Sequence, residues 1–392
     1  MSRKVVFVTT HPVQYIVPLY QELTREGTVD FEVVYLTDET VKGSFDKHFG
    51  REVKWDLPLL DNYRYQFLNN FSWKPSLNTG FWGLMNFGIV SYLWKQPSKS
   101  IIIISGWSNL SFVLTIIFGK LFGHHCAFRM EAPLYKEENR TGILNNIRYH
   151  SLRFMFRYFI DYSFYIGSQN KAFYEKYRLK PEQLFFTPYC VDNKRFSEDF
   201  DKLSSHRNEI REKLKIPLNA YVILFTGKFY DIKRPLDLLS AYIAAELDNK
   251  FLVMVGDGIM MSEIQKNIKE CGLNTIQLPG FKNQTEISEY YVIADVLVLC
   301  SESETWGLSV NEAMNFNLPI ILYDSVGCGP DLLKDSVNGK LVKKGNILEL
   351  QKALEFYGND RRERERAGFE SKRIIKDFSF EKIIVGLKSA LA

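Results

Sequence analysis

The sequence predicts two doubly wound α/β domains, each a parallel sheet covered by helices on both faces. Three observations predict this. The chain has 392 residues, more than one compact core accommodates, so two domains of about 150–200 residues are expected. Short β-branched runs recur along it, each followed by a helical pattern. Those runs are almost continuously apolar rather than alternating, which marks strands buried on both faces of a parallel sheet.

The first series of strands is VVFVT (5–9), FEVVYL (31–36), SIIIIS (100–105), HCAFRM (125–130) and DYSFYIG (161–167). The second is VILFTG (222–227), FLVMVG (251–256), TIQLPG (275–280), DVLVLC (295–300) and PIILYD (319–324). They give a first domain over 1–197, a polar join over 198–219 containing Pro217 and Asn219, and a second domain over 220–376. The closing segment, DFSFEKIIVGLKSALA (377–392), reads as a helix with Ser379 at its N-cap.

Composition narrows the class. Hydrophobic residues make up 46% and charged residues 24%, as in an ordinary globular protein. A net charge of +4 is too small to argue for a nucleic-acid partner. Five cysteines without a C-x-x-C pair fit a reducing compartment. The N-terminus runs straight into a strand without a signal peptide. The longest apolar stretch (111–122) contains Lys120 and is too short to span a bilayer. The expected location is therefore the cytosol or the inner face of a membrane. Aromatics reach 15%, either filling cores or meeting sugars and lipid headgroups. RYHSLRFMFR (148–157) sets Arg148, Arg153 and Arg157 among apolar residues. At helical spacing this is a candidate for an anionic membrane surface or, equally, a part-buried helix with a basic edge.

In open α/β sheets ligands bind beyond the carboxyl ends of the strands. Two such domains facing each other form a cleft lined by the loops THPVQY, KFYDIKRP, FKNQTE and SESETWGL. In SESETWGLSVNEAM (301–314), Gly307 permits close backbone approach and Leu308 begins a helix whose N-terminal amides can hold a phosphate. Glu304 stands just before that helix and Glu312 about two turns into it. A carboxylate accepts two hydrogen bonds, which suits a vicinal diol of a ribose or a hexose. A diphosphate at the helix start, a sugar at Glu304 and a ribose at Glu312 describe a nucleotide-sugar site. The alternative is two solvated surface glutamates. Lys228 and Lys233, in the loop after the strand 222–227, can neutralise a diphosphate leaving group or form an ordinary basic loop.

Other signals are weaker. VGDGIM (255–260) falls short of G-x-G-x-x-G, which counts against a nicotinamide or flavin enzyme. Asp199-Phe200-Asp201 has the D-x-D spelling but lies in the join, and His124-His125 lacks further ligands at zinc spacing. No metal is expected. His11, at the end of the first strand, contacts phosphate or acceptor, or only caps the helix.

These residues resemble the retaining glycosyltransferases of family 4, which have the GT-B fold. The family's E-x7-E motif appears as Glu304 to Glu312. Its phosphate-binding Gly-Arg and Lys-Gly appear as Gly227-Lys228 and Lys233-Arg234. Its interdomain P-x-G-V-D appears as PYCVD (188–192), and GCGPDLL (327–333) followed by VNGKLV (337–342) matches its next loop, helix and strand. The N-terminal half is similar to a subgroup with an HPVQY first loop, as are 49–68 and 161–177.

The resemblance implies metal-independent transfer of a sugar from a nucleotide-sugar to a hydroxyl of a saccharide or lipid-linked saccharide, with configuration retained, in bacterial surface polysaccharide or glycolipid assembly. It places the ribose on Glu312 and the donor sugar on Glu304. The backbone of Trp306, Gly307 and Leu308 holds phosphate or sugar oxygens, and Lys228 and Lys233 hold the diphosphate. The catalytic set is then Glu304, Lys228 and Lys233, with no cofactor. Gln14 reaches the same phosphates and Glu131 stands on the acceptor side. The family also lets the last helix cross back onto the first domain. A non-catalytic GT-B binding protein, a sugar-nucleotide 2-epimerase and a phosphorylase remain alternatives.

Overall fold

Each of the apolar runs becomes a strand of one of two all-parallel sheets. The computed structural model describes residues 3–46, 51–53, 55–138 and 140–391. Of the segment 49–68 quoted for the resemblance, residues 49, 50 and 54 lie outside the described residues. The chain forms two units: residues 1–44, 58–189 and 380–392 in the first, 45–57 and 190–379 in the second.

The strands of the first half are β1 (Val5–Thr9), β2 (Phe31–Tyr35), β3 (Ser44–Asp46), β4 (Arg51–Val53), β5 (Tyr65–Phe67), β6 (Ile101–Ile104), β7 (His125–Phe128), β8 (Tyr162–Tyr165) and β9 (Leu184–Phe186). In unit 1 the seven-stranded order is β5-β2-β1-β6-β7-β8-β9, and β3 pairs separately with β4. The second half supplies β10 (Tyr221–Thr226), β11 (Lys250–Val255), β12 (Ile276–Gly280), β13 (Val296–Leu299), β14 (Ile320–Tyr323) and β15 (Gly339–Val342). Their order in unit 2 is β12-β11-β10-β13-β14-β15. Strands β6, β13 and β14 are buried at every position, as their unbroken apolar sequences require.

Winding reverses once in each sheet, between β1 and β6 and between β10 and β13. At such a reversal the crossovers leave for opposite faces, and the loops at the carboxyl ends diverge around a crevice. The loops after β1, β6, β10 and β13 are therefore the places in each unit where the fold makes room for a ligand.

The polar join expected over 198–219 falls within unit 2. Asn193–Leu203 and Arg207–Lys213 are helices of unit 2, with Phe196 and Ile210 buried. Arg211 is 1% exposed. Its guanidinium donates to the carbonyls of Leu218, Ala220 and Ile293 and to Asp295 Oδ2 at 2.8 Å. Asp295 also accepts from Arg207 at 2.8 Å and from the Val222 amide at 2.8 Å. This network pins the amino ends of β10 and β13 side by side. The Asp199 carboxylate accepts from Ser288 Oγ at 2.6 Å, so D-x-D here fastens a helix. Residues 45–57 join unit 2 through Asp56, which accepts from the Thr285 amide at 3.1 Å. The last helix, Phe380–Leu391, groups with unit 1, where Gly386 lies so close to the Phe186 carbonyl that a Cβ would meet its oxygen at 2.1 Å. Among the described residues no helix is long and apolar enough to cross a membrane.

Arg211→Ala leaves Asp295 and three carbonyls short of a donor in a buried site. It is expected to cost about 3–5 kcal/mol and to lower the melting temperature of unit 2 by roughly 10 °C in calorimetry. A change below about 2 °C contradicts this account of the β10/β13 anchor.

Candidate active site

In unit 2 the loops that leave β10 and β13 meet. The turn after β10 starts at Gly227, whose amide donates to the Val255 carbonyl at 3.0 Å and whose φ of +156° suits a residue without a Cβ. Lys228 follows, half-buried. A short 3₁₀ turn, Asp231–Lys233, then leads into the helix Pro235–Ala244 through Arg234 at φ +49°, ψ +47°. That is the left-handed conformation a glycine adopts freely, at the position where the family's motif has Gly. The arginine holds it at a strain of about 1 kcal/mol.

The loop after β13 is stitched to this turn. The Glu302 amide donates to the Ile232 carbonyl at 2.7 Å, and Cys300 Sγ lies 3.1 Å from the Arg234 carbonyl. The Lys233 ammonium ion-pairs with the Glu304 carboxylate, although 71 residues separate them. Both side chains are 16% exposed, so the pair is only partly screened by water. Beside it Arg234 pairs with Glu302 at the surface.

Glu304 is held from the other side by the loop after β14. The Gly327 amide donates to the Glu304 carbonyl and the Cys328 amide to the Trp306 carbonyl, each at 2.9 Å. A Cβ on Gly327 would lie 2.2 Å from the Thr305 carbonyl oxygen, so only glycine allows this approach. Gly307, at φ +103°, turns the chain into the helix Leu308–Met314. The Trp306 side chain is buried, and its indole N–H donates to Asn311 Oδ1 at 2.8 Å. Trp306 thus fixes the loop from inside and leaves its backbone for other work.

Glu312 lies in the second turn of that helix, half-buried. Tyr291 OH donates to its Oε2 at 2.5 Å and Gln284 Nε2 approaches Oε1 at 3.5 Å. Arg195 grips Gln284 through its carbonyl at 2.9 Å and its Oε1 at 2.6 Å. Burial raises the Glu312 pKa above its ordinary 4.5, while the Tyr291 hydrogen bond and the nearby Arg195 charge oppose the rise. Tyr291 is itself wedged against Phe316, ring centroids 5.3 Å apart. Tyr291, Arg195 and Gln284 carry no motif. Only Gln284, in the loop FKNQTE, lies where the strand-end rule points.

Unit 1 has its own cavity at its winding reversal, of about 500 Å³. Thr9, Thr10 and His11 line it from the end of β1, Gly106 and Trp107 from the loop after β6, and Arg129 to Pro133 from beyond β7. His11 and Glu131 are brought together here, whereas Gln14 is not part of the lining. The Gln14 Oε1 atom is buried without a hydrogen-bond partner among the described residues. Burial lowers the His11 pKa to about 4, so its ring is neutral at pH 7. Tyr189 OH donates to Glu131, and Tyr15 packs edge-on to Tyr189 at 5.5 Å. Arg129, with Nε buried and without a hydrogen-bond partner, gives the cavity a cation among aromatic walls.

Among the described residues no group of three or more His, Cys, Asp or Glu side chains is arranged to hold a metal ion.

Two Rossmann-like units, each built on an all-parallel sheet, have the GT-B fold. Residues 206–373 match the family described as Glycosyl transferases group 1. The chain is 31% identical over 166 residues, 42% of its length and 46% of the relative's, to an uncharacterized glycosyltransferase of Methanocaldococcus jannaschii. It is 27% identical over 230 residues to the GalNAc-alpha-(1->4)-GalNAc-alpha-(1->3)-diNAcBac-PP-undecaprenol alpha-1,4-N-acetyl-D-galactosaminyltransferase of Campylobacter jejuni, 57% of its own length and 58% of that enzyme's. It therefore spans about half the length of these curated relatives. Among solved structures, Anabaena Alr3699/HepE in complex with UDP and glucose shares the fold over 99% of both chains, with a TM-score of 0.74 and 16% identity.

Glu312→Gln separates stability from ligand binding. Because the folded pKa lies above the ordinary 4.5, the folded state favours the protonated acid, and ionising it weakens the fold as pH rises through that window. At pH 7 the glutamine variant is expected to melt higher than the parent, with the gain vanishing below pH 4.5. Loss of a charged acceptor should weaken nucleoside diphosphate binding by about tenfold or more. Lower stability at pH 7, or unchanged binding by calorimetry, contradicts the assignment.

Proposed function

We propose that the protein is a retaining, metal-independent glycosyltransferase that moves a hexose from a nucleoside diphosphate sugar to a hydroxyl of a saccharide or lipid-linked saccharide. The observation that carries this is the Lys233–Glu304 ion pair at the β10/β13 reversal, inside the segment that matches group 1 glycosyl transferases. Each member of the pair neutralises the other. A diphosphate offers Lys233 a stronger anion and leaves Glu304 to face the donor sugar. Glu312, positioned by Tyr291, accepts the two ribose hydroxyls. Lys228 and Lys233 stabilise the charge that develops on the departing diphosphate.

The bond between the anomeric carbon and the β-phosphate oxygen breaks, and the bond from that carbon to the acceptor oxygen forms on the same face. The acceptor's proton passes to the leaving diphosphate. Isolation of a covalent glycosyl-enzyme adduct contradicts this route. The cavity of unit 1 takes the acceptor. Trp107, Tyr15 and Tyr189 offer rings for a sugar face, Glu131 accepts from a hydroxyl, and Arg129 favours an acceptor bearing an anionic group such as a phosphate. Assembly of a surface polysaccharide or glycolipid at the inner face of a membrane fits such an acceptor, and the Campylobacter jejuni relative is named for an undecaprenol-linked one.

A thermal-shift panel of nucleotide sugars, beginning with UDP-sugars, identifies the donor. At 100 times its dissociation constant the right donor adds about 2.7 kcal/mol. Glu304→Ala is expected to lower turnover at least a hundredfold, or about 2.7 kcal/mol. Turnover within about twofold of the parent, or conversion of the donor with no acceptor present, overturns the proposal in favour of a binding protein or an epimerase.

A further inference from the structure

Between Asp61 and Glu131 the chain contains no acidic residue, and its formal charges there are Arg64, Lys74, Lys95, Lys99, Lys120 and Arg129. Four of the six tryptophans fall in the same stretch: Trp73, Trp82, Trp94 and Trp107. Large apolar side chains from it stay outside the core. Trp73 is 73% exposed, Trp94 71%, Leu121 69% and Phe71 61%.

The exposure is built in. Residues 70–85 form a closed loop. Asn70 Nδ2 donates to the Gly83 carbonyl at 2.9 Å, the Met85 amide to Asn70 Oδ1 at 2.9 Å, the Phe71 amide to the Met85 carbonyl at 3.0 Å and Ser72 Oγ to the Trp82 carbonyl at 2.6 Å. With the backbone so tied, the rings cluster with one another on the surface. Trp82 lies 6.1 Å from Trp73 and 4.9 Å from Phe81, and Phe71 lies 6.1 Å from Phe87. From Phe87 the surface continues along the helix Gly88–Trp94, since Phe87, Ser91 and Trp94 are exposed at helical spacing. Trp94 packs edge-on to Phe122 at 5.1 Å, next to Ile117 and Leu121, exposed one turn apart on the helix Leu110–Leu121.

Lys74 follows Trp73 and Lys95 follows Trp94 in sequence; they and Lys99 are exposed and, among the described residues, pair with no carboxylate. An apolar patch of this extent marks an interaction site. Aromatic rings settle at the headgroup level of a bilayer, and exposed lysines are drawn to anionic lipid. Carboxylates bonded to this stretch include Glu39, which accepts from the Leu77 amide at 3.1 Å, and Glu32, which accepts from Tyr92 OH and Lys4 at 2.9 Å. The helix that carries 148–157 also exposes Ile143, Leu144, Ile147, Phe154 and Arg157, but other residues of that stretch are engaged by the fold. Arg148 is bonded to the buried Glu137, and Leu152 and Phe156 face the core.

We propose that this face of unit 1 docks the protein on an anionic lipid bilayer, with Trp73, Trp82 and Trp94 at headgroup depth and Lys74, Lys95 and Lys99 against the lipid phosphates. The proposal deepens the lipid-linked acceptor of the proposed function and rests on that reading for its purpose. Vesicle binding is read without turnover, so the two fail separately.

The test is flotation of the full chain with vesicles of phosphatidylcholine alone or mixed with phosphatidylglycerol. The protein is expected to float only with the mixed vesicles. Lys74→Glu/Lys95→Glu/Lys99→Glu and, separately, Trp73→Ala/Trp82→Ala/Trp94→Ala should each weaken partitioning at least about tenfold. Both should keep the parent's melting temperature and donor-induced thermal shift, and the triple Lys→Arg variant should float as the parent does. No flotation, flotation indifferent to phosphatidylglycerol, or equal flotation of parent and variants overturns the proposal. So does a dimer in sedimentation velocity that the tryptophan variant dissociates, if the parent leaves vesicles untouched. In that case the face joins two copies of this chain.

Discussion

A parallel sheet that winds outward in both directions from its middle has one place where neighbouring strands send their crossovers to opposite faces. In unit 2 that place is between β10 and β13. The candidate active site depends on this constraint. Lys233 and Glu304 belong to loops far apart in sequence, and their contact exists because β10 and β13 are hydrogen-bonded neighbours. The buried Arg211–Asp295 network fastens the opposite ends of the same two strands. Anchored at one end, the strands hold the cation and the carboxylate in register at the other.

Lys233 and Glu304, two opposite charges each mostly withdrawn from water, offset one another's desolvation. In the proposed reaction the donor's diphosphate brings negative charge and hydrogen-bond acceptors, so the ammonium changes partners without becoming unpaired. Glu312 is arranged differently. Its carboxylate is kept where ionisation is costly, and Tyr291 holds it at 2.5 Å. A group stored at such a cost to the fold, in a fixed orientation, has the character of a ligand-binding residue.

Much of this was legible in the chain. The ten apolar runs were strands because burial on both faces leaves no room for polar residues. β5 and β9 were not, because they are sheet edges three residues long, and TYR-GLN-PHE at 65–67 has no such run. Residues 198–219 read as a join because their helices are polar on the outside, while the spacing of Phe196, Phe200 and Ile210 that seats them was diluted by charges. The pair of glutamates stood out by spacing and motif. That Glu304 meets Lys233 required knowing which strands are neighbours. Tyr291, Arg195 and Gln284 act by positioning another side chain, and one sequence gives such residues no signature.

In the proposed reaction Lys233 exchanges the Glu304 carboxylate for the ligand's diphosphate. Calorimetric titration of the parent, Lys233→Ala, Glu304→Ala and the double variant with the nucleoside diphosphate of the identified donor tests it most directly. Lys233→Ala should weaken binding by about tenfold or more. Glu304→Ala should bind the nucleoside diphosphate at least as tightly as the parent, because the ammonium no longer has to leave a partner, and that gain should vanish when Lys233 is also removed. Equal weakening by both single substitutions, or no effect of either, would contradict the exchange.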